Sequence, residues 1–109
     1  RTSVNLPAAK IRIEADKGAA IVVLAKSEDM DGNESLVYKF SDGDQQSQVV
    51  TGPADINLEA SRLTYVREDQ QFILKADGTV RFEKIDELLD TLREAGAQRL
   101  LLLTQQGQG

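Results

Sequence analysis

The last third of the chain places an amphipathic helix between two apolar strands, and this order constrains the fold more than any other feature. Residues 71–76 predict a strand that ends at the turn formers Asp77 and Gly78. Gly96 stands where a left-handed residue after a helix is expected, and residues 99–104 are an apolar run of strand length. Between the strands, apolar residues recur at helical spacings: Ile85, Leu88, Leu89 and Leu92. This order predicts a β-α-β unit with parallel strands, either adjacent or with one strand between them.

The earlier part of the chain predicts strands and turns. Residues 19–26 are rich in β-branched side chains and predict a buried strand, residues 36–40 predict a second, and residues 48–51 are expected to pair back on it. Residues 55–65 are ambiguous: Asp55 or Asn57 could cap a short helix, and residues 63–66 could equally form a strand. We expect residues 18–104 to form a single α+β domain, a two-layer sandwich with a small mixed sheet and helices on one face.

The composition excludes several classes of chemistry. The 109 residues include no cysteine and no histidine, so disulfides, the usual zinc sites and Ser-His-Asp or Cys-His catalytic sites cannot form. The net charge of −5 repels nucleic-acid phosphates, and aromatic residues make up only 5% of the chain. We therefore expect a domain that is not an enzyme, needs no cofactor or metal, and binds no nucleic acid.

Two acidic turns are candidates for a ligand site. Asp29, Asp31 and Asn33 alternate along the loop of residues 29–34 as calcium ligands do, although the glycine and glutamate of an EF-hand are out of place. A solvated turn is the simpler interpretation, and a calcium-binding or small-ligand module is the alternative function. Asp77 lies at the carboxyl end of a predicted strand, where α/β sheets bind ligands, yet Asp-Gly is also typical of an ordinary turn.

Four consecutive leucines occupy the last predicted strand. Because successive side chains of a strand point to opposite faces, both faces of this strand are apolar. A single helix cannot cover both faces, and an exposed apolar strand invites association. We expect either that the monomer covers both faces or that these residues form a homodimer seam: Leu100, Leu101, Leu102 and Leu103.

The two ends of the chain carry little pattern. The chain begins with Arg1 in place of methionine, so we expect that it was cut from a longer protein. No run approaches the roughly 18 apolar residues of a membrane helix, and no signal peptide is recognisable. We expect residues 1–17 to form an extended segment and residues 105–109, which are only Gln and Gly, to form a disordered tail.

Several short blocks occur in a characteristic order. Val4-Asn5-Leu6-Pro7 lies near the start, Lys75-Ala76-Asp77 ends a strand, Arg93-Glu94-Ala95-Gly96 closes the helix, and Thr104 ends the leucine strand. Together these blocks, over about half of the chain, resemble the ExbD/TolR family of biopolymer transport proteins. In that family a Val-Asp/Asn-Leu-Pro segment follows a single membrane helix. The family also places a helix between an early hairpin and the Lys-Ala-Asp strand.

The resemblance implies a small two-layer domain, usually dimeric, at the periplasmic face of the bacterial inner membrane, with a single-pass anchor outside this chain. Such proteins work with a membrane channel protein of the ExbB/TolQ type. They use the proton-motive force to drive a TonB- or TolA-like energy transducer, and some members also contact peptidoglycan. The resemblance further implies the partner-binding residues Val4, Asn5, Leu6, Pro7 and Asp77.

Overall fold

A five-stranded mixed sheet and two helices make up residues 18–105, the part of the chain that the computed structural model describes. In chain order the elements are β1 (Ala20–Glu28), β2 (Glu34–Ser41), β3 (Gln48–Val50), α1 (Pro53–Val66), β4 (Gln71–Asp77), α2 (Phe82–Glu94) and β5 (Arg99–Gln105). The strand order is β3-β2-β1-β4-β5. β1, β2 and β3 form an antiparallel meander, whereas β1, β4 and β5 are parallel. The predicted α+β fold is confirmed, and the two strands of the β-α-β unit are adjacent.

Some predictions concern residues outside this range. The extended segment of residues 1–17 lies outside the described residues, and so do its predicted partner-binding residues Val4, Asn5, Leu6 and Pro7. The same holds for residues 106–109 of the predicted tail. The prediction that the tail begins at Gln105 is wrong, because Gln105 is the last residue of β5 and pairs with Asp77 of β4.

Alternation along the central strands places the hydrophobic core on one side of the sheet. In β1, Ala20, Val22 and Leu24 are fully buried, whereas the residues between them are only partly buried. Phe72 and Leu74 of β4 are fully buried on the same side. Both helices pack their apolar residues on this side of the sheet: Ile56 and Ala60 of α1, and Ile85, Leu88 and Leu92 of α2. The domain therefore has two layers, with both helices on one face.

Helix α1 decides between the two interpretations of residues 55–65. Gly52 is its N-cap and Pro53 occupies the first turn, where a missing N–H costs no helical hydrogen bond. Asp55 accepts a hydrogen bond from the Thr51 N–H at 2.8 Å. The strand interpretation of residues 63–66 is wrong, because the helix continues to Val66. The predicted caps are also wrong, because Asp55 and Asn57 lie inside the helix. Only Ile56 and Ala60 of α1 are fully buried, so the apolar stripe is narrow and its helical period is weak in the sequence.

Helix α2 ends as its sequence predicts, and its end contacts α1. The N–H of Gly96 donates to the Arg93 carbonyl at 2.9 Å and the N–H of Ala97 donates to the Leu92 carbonyl at 3.0 Å. This pair of hydrogen bonds is a Schellman motif, with Gly96 in the left-handed position at φ +100°. The Thr64 hydroxyl of α1 donates to the Ala95 carbonyl at 2.6 Å. The end of α2 is therefore stabilised both by its own Schellman motif and by this hydrogen bond from α1.

Candidate functional site

The side of the sheet opposite the helices, which we call the open face, carries a cluster of apolar side chains with polar and charged residues around it. It consists of the strand residues that alternate with the core positions. Among residues 18–105 no helix packs on it, because the two helices both pack on the other side. Its apolar residues and lysines, in strand order from β3 to β5, are Val49, Val37, Lys39, Ile21, Val23, Ala25, Ile73, Lys75, Leu101 and Leu103, and the polar residues Ser41, Gln71, Asp77 and Arg99 lie on it as well.

The strand register aligns these side chains in rows that cross the sheet. One row joins Ser41, Ile21, Ile73 and Leu101, and Ile73 is 4% exposed. The next row consists of Val49, Lys39, Val23, Lys75 and Leu103. The open face therefore has an apolar centre along β1 and at Ile73 of β4, with one lysine on each side of Val23.

A groove of about 310 Å³ lies on the open face near the carboxyl ends of the parallel strands. Its lining includes Val23, Ala25, Lys75, Asp77 and Leu103. The carboxyl ends of parallel strands meet at one edge of a sheet, and this is the edge where α/β proteins bind ligands. The structure thus brings Asp77 and Leu103, two residues singled out separately in the sequence, into one groove.

Asp77 stabilises the turn that follows β4. Its Oδ1 accepts hydrogen bonds from the Thr79 N–H and the Thr79 hydroxyl, each at 3.0 Å, and its backbone carbonyl accepts the Val80 N–H at 3.0 Å. The hydrogen bond from the Thr79 backbone, the one from the Thr79 hydroxyl and the positive charge of Lys26 hold the pKa of Asp77 below its usual value. These contacts describe the turn role of Asp77; a role in partner binding stays a prediction.

The four leucines of β5 divide between the two sides of the sheet. Leu100 packs against the core, and Leu101 is partly buried on the open face. Leu102, on the helix side, and Leu103, on the open face, are 37% and 38% exposed. Because β5 is an edge strand of the described sheet, its outer side pairs with no described strand. Coverage within residues 18–105 is therefore incomplete at Leu102 and Leu103, and the homodimer seam at Leu100–Leu103 stays a prediction.

Lys39 and Lys75 are residues of this surface that the sequence analysis missed. Within residues 18–105 neither lysine forms an ion pair or a hydrogen bond, whereas Lys26, on the helix side, pairs with Glu34 at 3.3 Å. Strand alternation in the sequence could have predicted that each lysine points away from the core, because its sequence neighbour, Phe40 for Lys39 and Leu74 for Lys75, is a core residue. The sequence could not show that both lysines flank the same strand, because strand order is decided by long-range pairing.

The loop between β1 and β2 uses its carboxylate within its own turn. Asp29 Oδ1 accepts the N–H groups of Asp31 and Asn33, both at 2.9 Å, and Asn33 Nδ2 donates to Asp29 Oδ2 at 3.3 Å. These bonds, above all the one from the Asn33 backbone, hold the pKa of Asp29 below its usual value. Residues 18–105 contain no group of three or more His, Cys, Asp or Glu side chains placed to hold a metal ion. The geometry is that of a tight turn.

No protein-family model matches the chain, and no curated protein matches it. In the part of the chain that the structure describes, no helix is both long and apolar enough to cross a membrane.

Proposed function

We propose that this domain is the periplasmic part of an ExbD/TolR-like component of an energy-transducing complex driven by the proton-motive force, acting through protein–protein contacts. The observation that carries the proposal is the leucine-rich edge strand β5 at the end of the β-α-β unit. Leu102 and Leu103 each leave more than a third of their surface exposed there. Burial of apolar surface is favourable by roughly 25 cal/mol per Å², and an uncovered strand edge is suited to adding a partner strand.

The order of the elements supports the resemblance. Helix α1 lies between the antiparallel strands β1–β3 and the strand that ends in Lys75-Ala76-Asp77. The family places a helix at this position. Because the helix was one of two open alternatives for residues 55–65, its presence brings the middle of the chain into agreement with the family pattern.

In this proposal two copies of the domain meet at Leu100–Leu103 at the periplasmic face of the bacterial inner membrane. Proton flow through an anchor segment and an ExbB/TolQ-like channel protein changes the arrangement of the two copies. This change makes the Leu6-Pro7 segment and the strand edges accessible or inaccessible to a TonB- or TolA-like transducer. Biopolymer transport, protein transport and envelope maintenance are the processes such a complex serves, and peptidoglycan is a further contact of some family members.

Single cysteines test the proposal, since these 109 residues contain no native thiol. Leu103→Cys is introduced into the full-length protein as its only cysteine, in its native cells. Val49→Cys is the matched control, because Val49 is an exposed apolar residue on β3, at the opposite edge of the sheet. Labelling with a membrane-impermeant maleimide reports location, and oxidative cross-linking before and after addition of a protonophore reports the arrangement of the copies.

The proposal predicts that both cysteines react with the impermeant reagent. Leu103→Cys should form a disulfide-linked dimer whose yield changes several-fold when the protonophore collapses the proton-motive force. Val49→Cys should cross-link weakly in both conditions. Protection of both cysteines from the impermeant reagent, or cross-linking that is identical with and without the protonophore, would contradict the proposal.

A further inference from the structure

We propose that the open face binds an amphipathic α-helix of a partner protein, whose apolar stripe is flanked on both sides by carboxylates. This inference does not depend on the ExbD/TolR proposal. It follows from the arrangement of side chains on the open face, which would bind such a helix in any cellular compartment.

The centre of the open face is apolar enough to dock a helix stripe. Ile21 and Val23 of β1 lie beside Ile73 of β4, with Leu101 of β5 next to Ile73. In the described part of the chain no helix packs on this side; Ile21, Val23 and Leu101 are partly exposed there, and Ile73 between them is 4% exposed. Apolar side chains that adjoin one another on a protein surface are typical of an interaction site.

The two lysines define the flanks of the docking site. Lys39 and Lys75 are the direct neighbours of Val23 on the strands to either side of it. Two strand spacings separate them, which is roughly 10 Å, and a helix with its side chains is about 10–12 Å wide. A helix lying along β1 therefore has one lysine at each flank. Carboxylates on both flanks of its apolar stripe would pair with both lysines.

Charge favours this occupant over a second copy. Symmetric stacking of two open faces would bring Lys39 and Lys75 of one copy against the same cations of the other, and like charges across an interface are unfavourable. Neither helix of another copy can supply the stripe, because Leu88 of α2 and Ile56 of α1 are fully buried in their own core.

Designed peptides test the inference with the whole chain. The acidic peptide has 18 residues, with leucines at helical spacing and glutamates on both flanks of the leucine stripe. The lysine peptide has lysines in place of the glutamates. The scrambled peptide has the composition of the acidic peptide in scrambled order. Binding is measured by fluorescence anisotropy at two salt concentrations. The protein variant is Lys39→Glu with Lys75→Glu, and the matched control is Lys84→Glu, a charge reversal at an exposed residue of α2, on the helix side of the sheet.

The acidic helix should bind at least about tenfold more tightly than either other peptide, a difference of about 1.4 kcal/mol, and more weakly at higher salt. The double reversal should reduce its affinity about tenfold and transfer the preference to the lysine peptide, whereas Lys84→Glu should change neither. Circular dichroism establishes that each variant is folded.

Equal binding of the acidic and scrambled peptides, or binding unaffected by the double reversal in a folded protein, would overturn the inference. So would a competing occupant that binds this face more tightly and depends on the same lysines. Three are measured in parallel: a synthetic peptide of residues 1–17, phosphatidylglycerol vesicles, and the protein itself by sedimentation.

Discussion

Gly96 connects the end of α2 to the turn before β5, at a point where α1 also makes contact. Its φ angle is +100°, a conformation that side-chain-bearing residues adopt at a cost. A Cβ atom at this position would lie 3.1 Å from the Thr64 Oγ1 of α1. The substitution Gly96→Ala therefore strains the backbone and also crowds the contact between the two helices.

We expect Gly96→Ala to lower the free energy of unfolding by about 2–3 kcal/mol. The left-handed backbone costs a non-glycine residue about 1–2 kcal/mol. The Thr64 hydroxyl donates to the Ala95 carbonyl at 2.6 Å, and displacing it removes a net contribution of about 1 kcal/mol. A domain of this size loses roughly 4–8 °C of Tm per kcal/mol, so the Tm should fall by roughly 10–20 °C.

Urea denaturation followed by circular dichroism measures this loss, and Thr64→Ala separates its two parts. Without the hydroxyl, Gly96→Ala should cost about 1 kcal/mol less than in the native sequence. Gly52→Ala is the control, because Gly52 is extended and its new Cβ would meet nothing within 4 Å; its effect should stay within about 0.5 kcal/mol. A loss below about 0.5 kcal/mol for Gly96→Ala, or equal losses in the two backgrounds, would refute the reasoning.

Three further predictions concern the core and the acidic turns. Leu88→Ala should cost about 2–5 kcal/mol in urea denaturation, because the side chain is fully buried, whereas the half-exposed Leu58→Ala should cost under about 1 kcal/mol. The folded pKa of Asp77 is depressed, so its carboxylate stabilises the fold above the usual aspartate range and loses this effect as the pH falls through the folded pKa; Asp77→Asn should therefore flatten the fall of the urea midpoint in acid. Millimolar calcium should move the Tm by less than about 1 °C. A saturable rise in Tm that Asp29→Asn abolishes would instead identify the loop as a calcium site.

The elements that the sequence predicted well are those whose signals are local. Helix α2 has four apolar residues on one face and a glycine after its end, and the Schellman motif at Gly96 needs only residues 92–97. Helix α1 was ambiguous because only Ile56 and Ala60 are fully buried, so most of its residues carry no periodic signal. Its stability depends on contacts with α2, such as the hydrogen bond from Asn57 Nδ2 to the Thr91 carbonyl at 3.2 Å, and no local pattern encodes such contacts.

The candidate site shows the same division. The apolar character of Leu100–Leu103 and the turn at Asp77 could be predicted from neighbouring residues alone. That Asp77 and Leu103 line one groove depends on the parallel pairing of β4 with β5.

By itself the sequence determined the β-α-β unit, the absence of cysteine and histidine chemistry, and the positions of most strands, because these follow from composition and from periods of a few residues. Only the tertiary structure decided that both helices share one side of the sheet, that β1 lies between β2 and β4, and that Lys39 and Lys75 therefore flank Val23. The physical reason is that strand order and layer placement depend on the burial of apolar surface between segments distant in sequence. That burial is a property of the whole chain and of no single stretch.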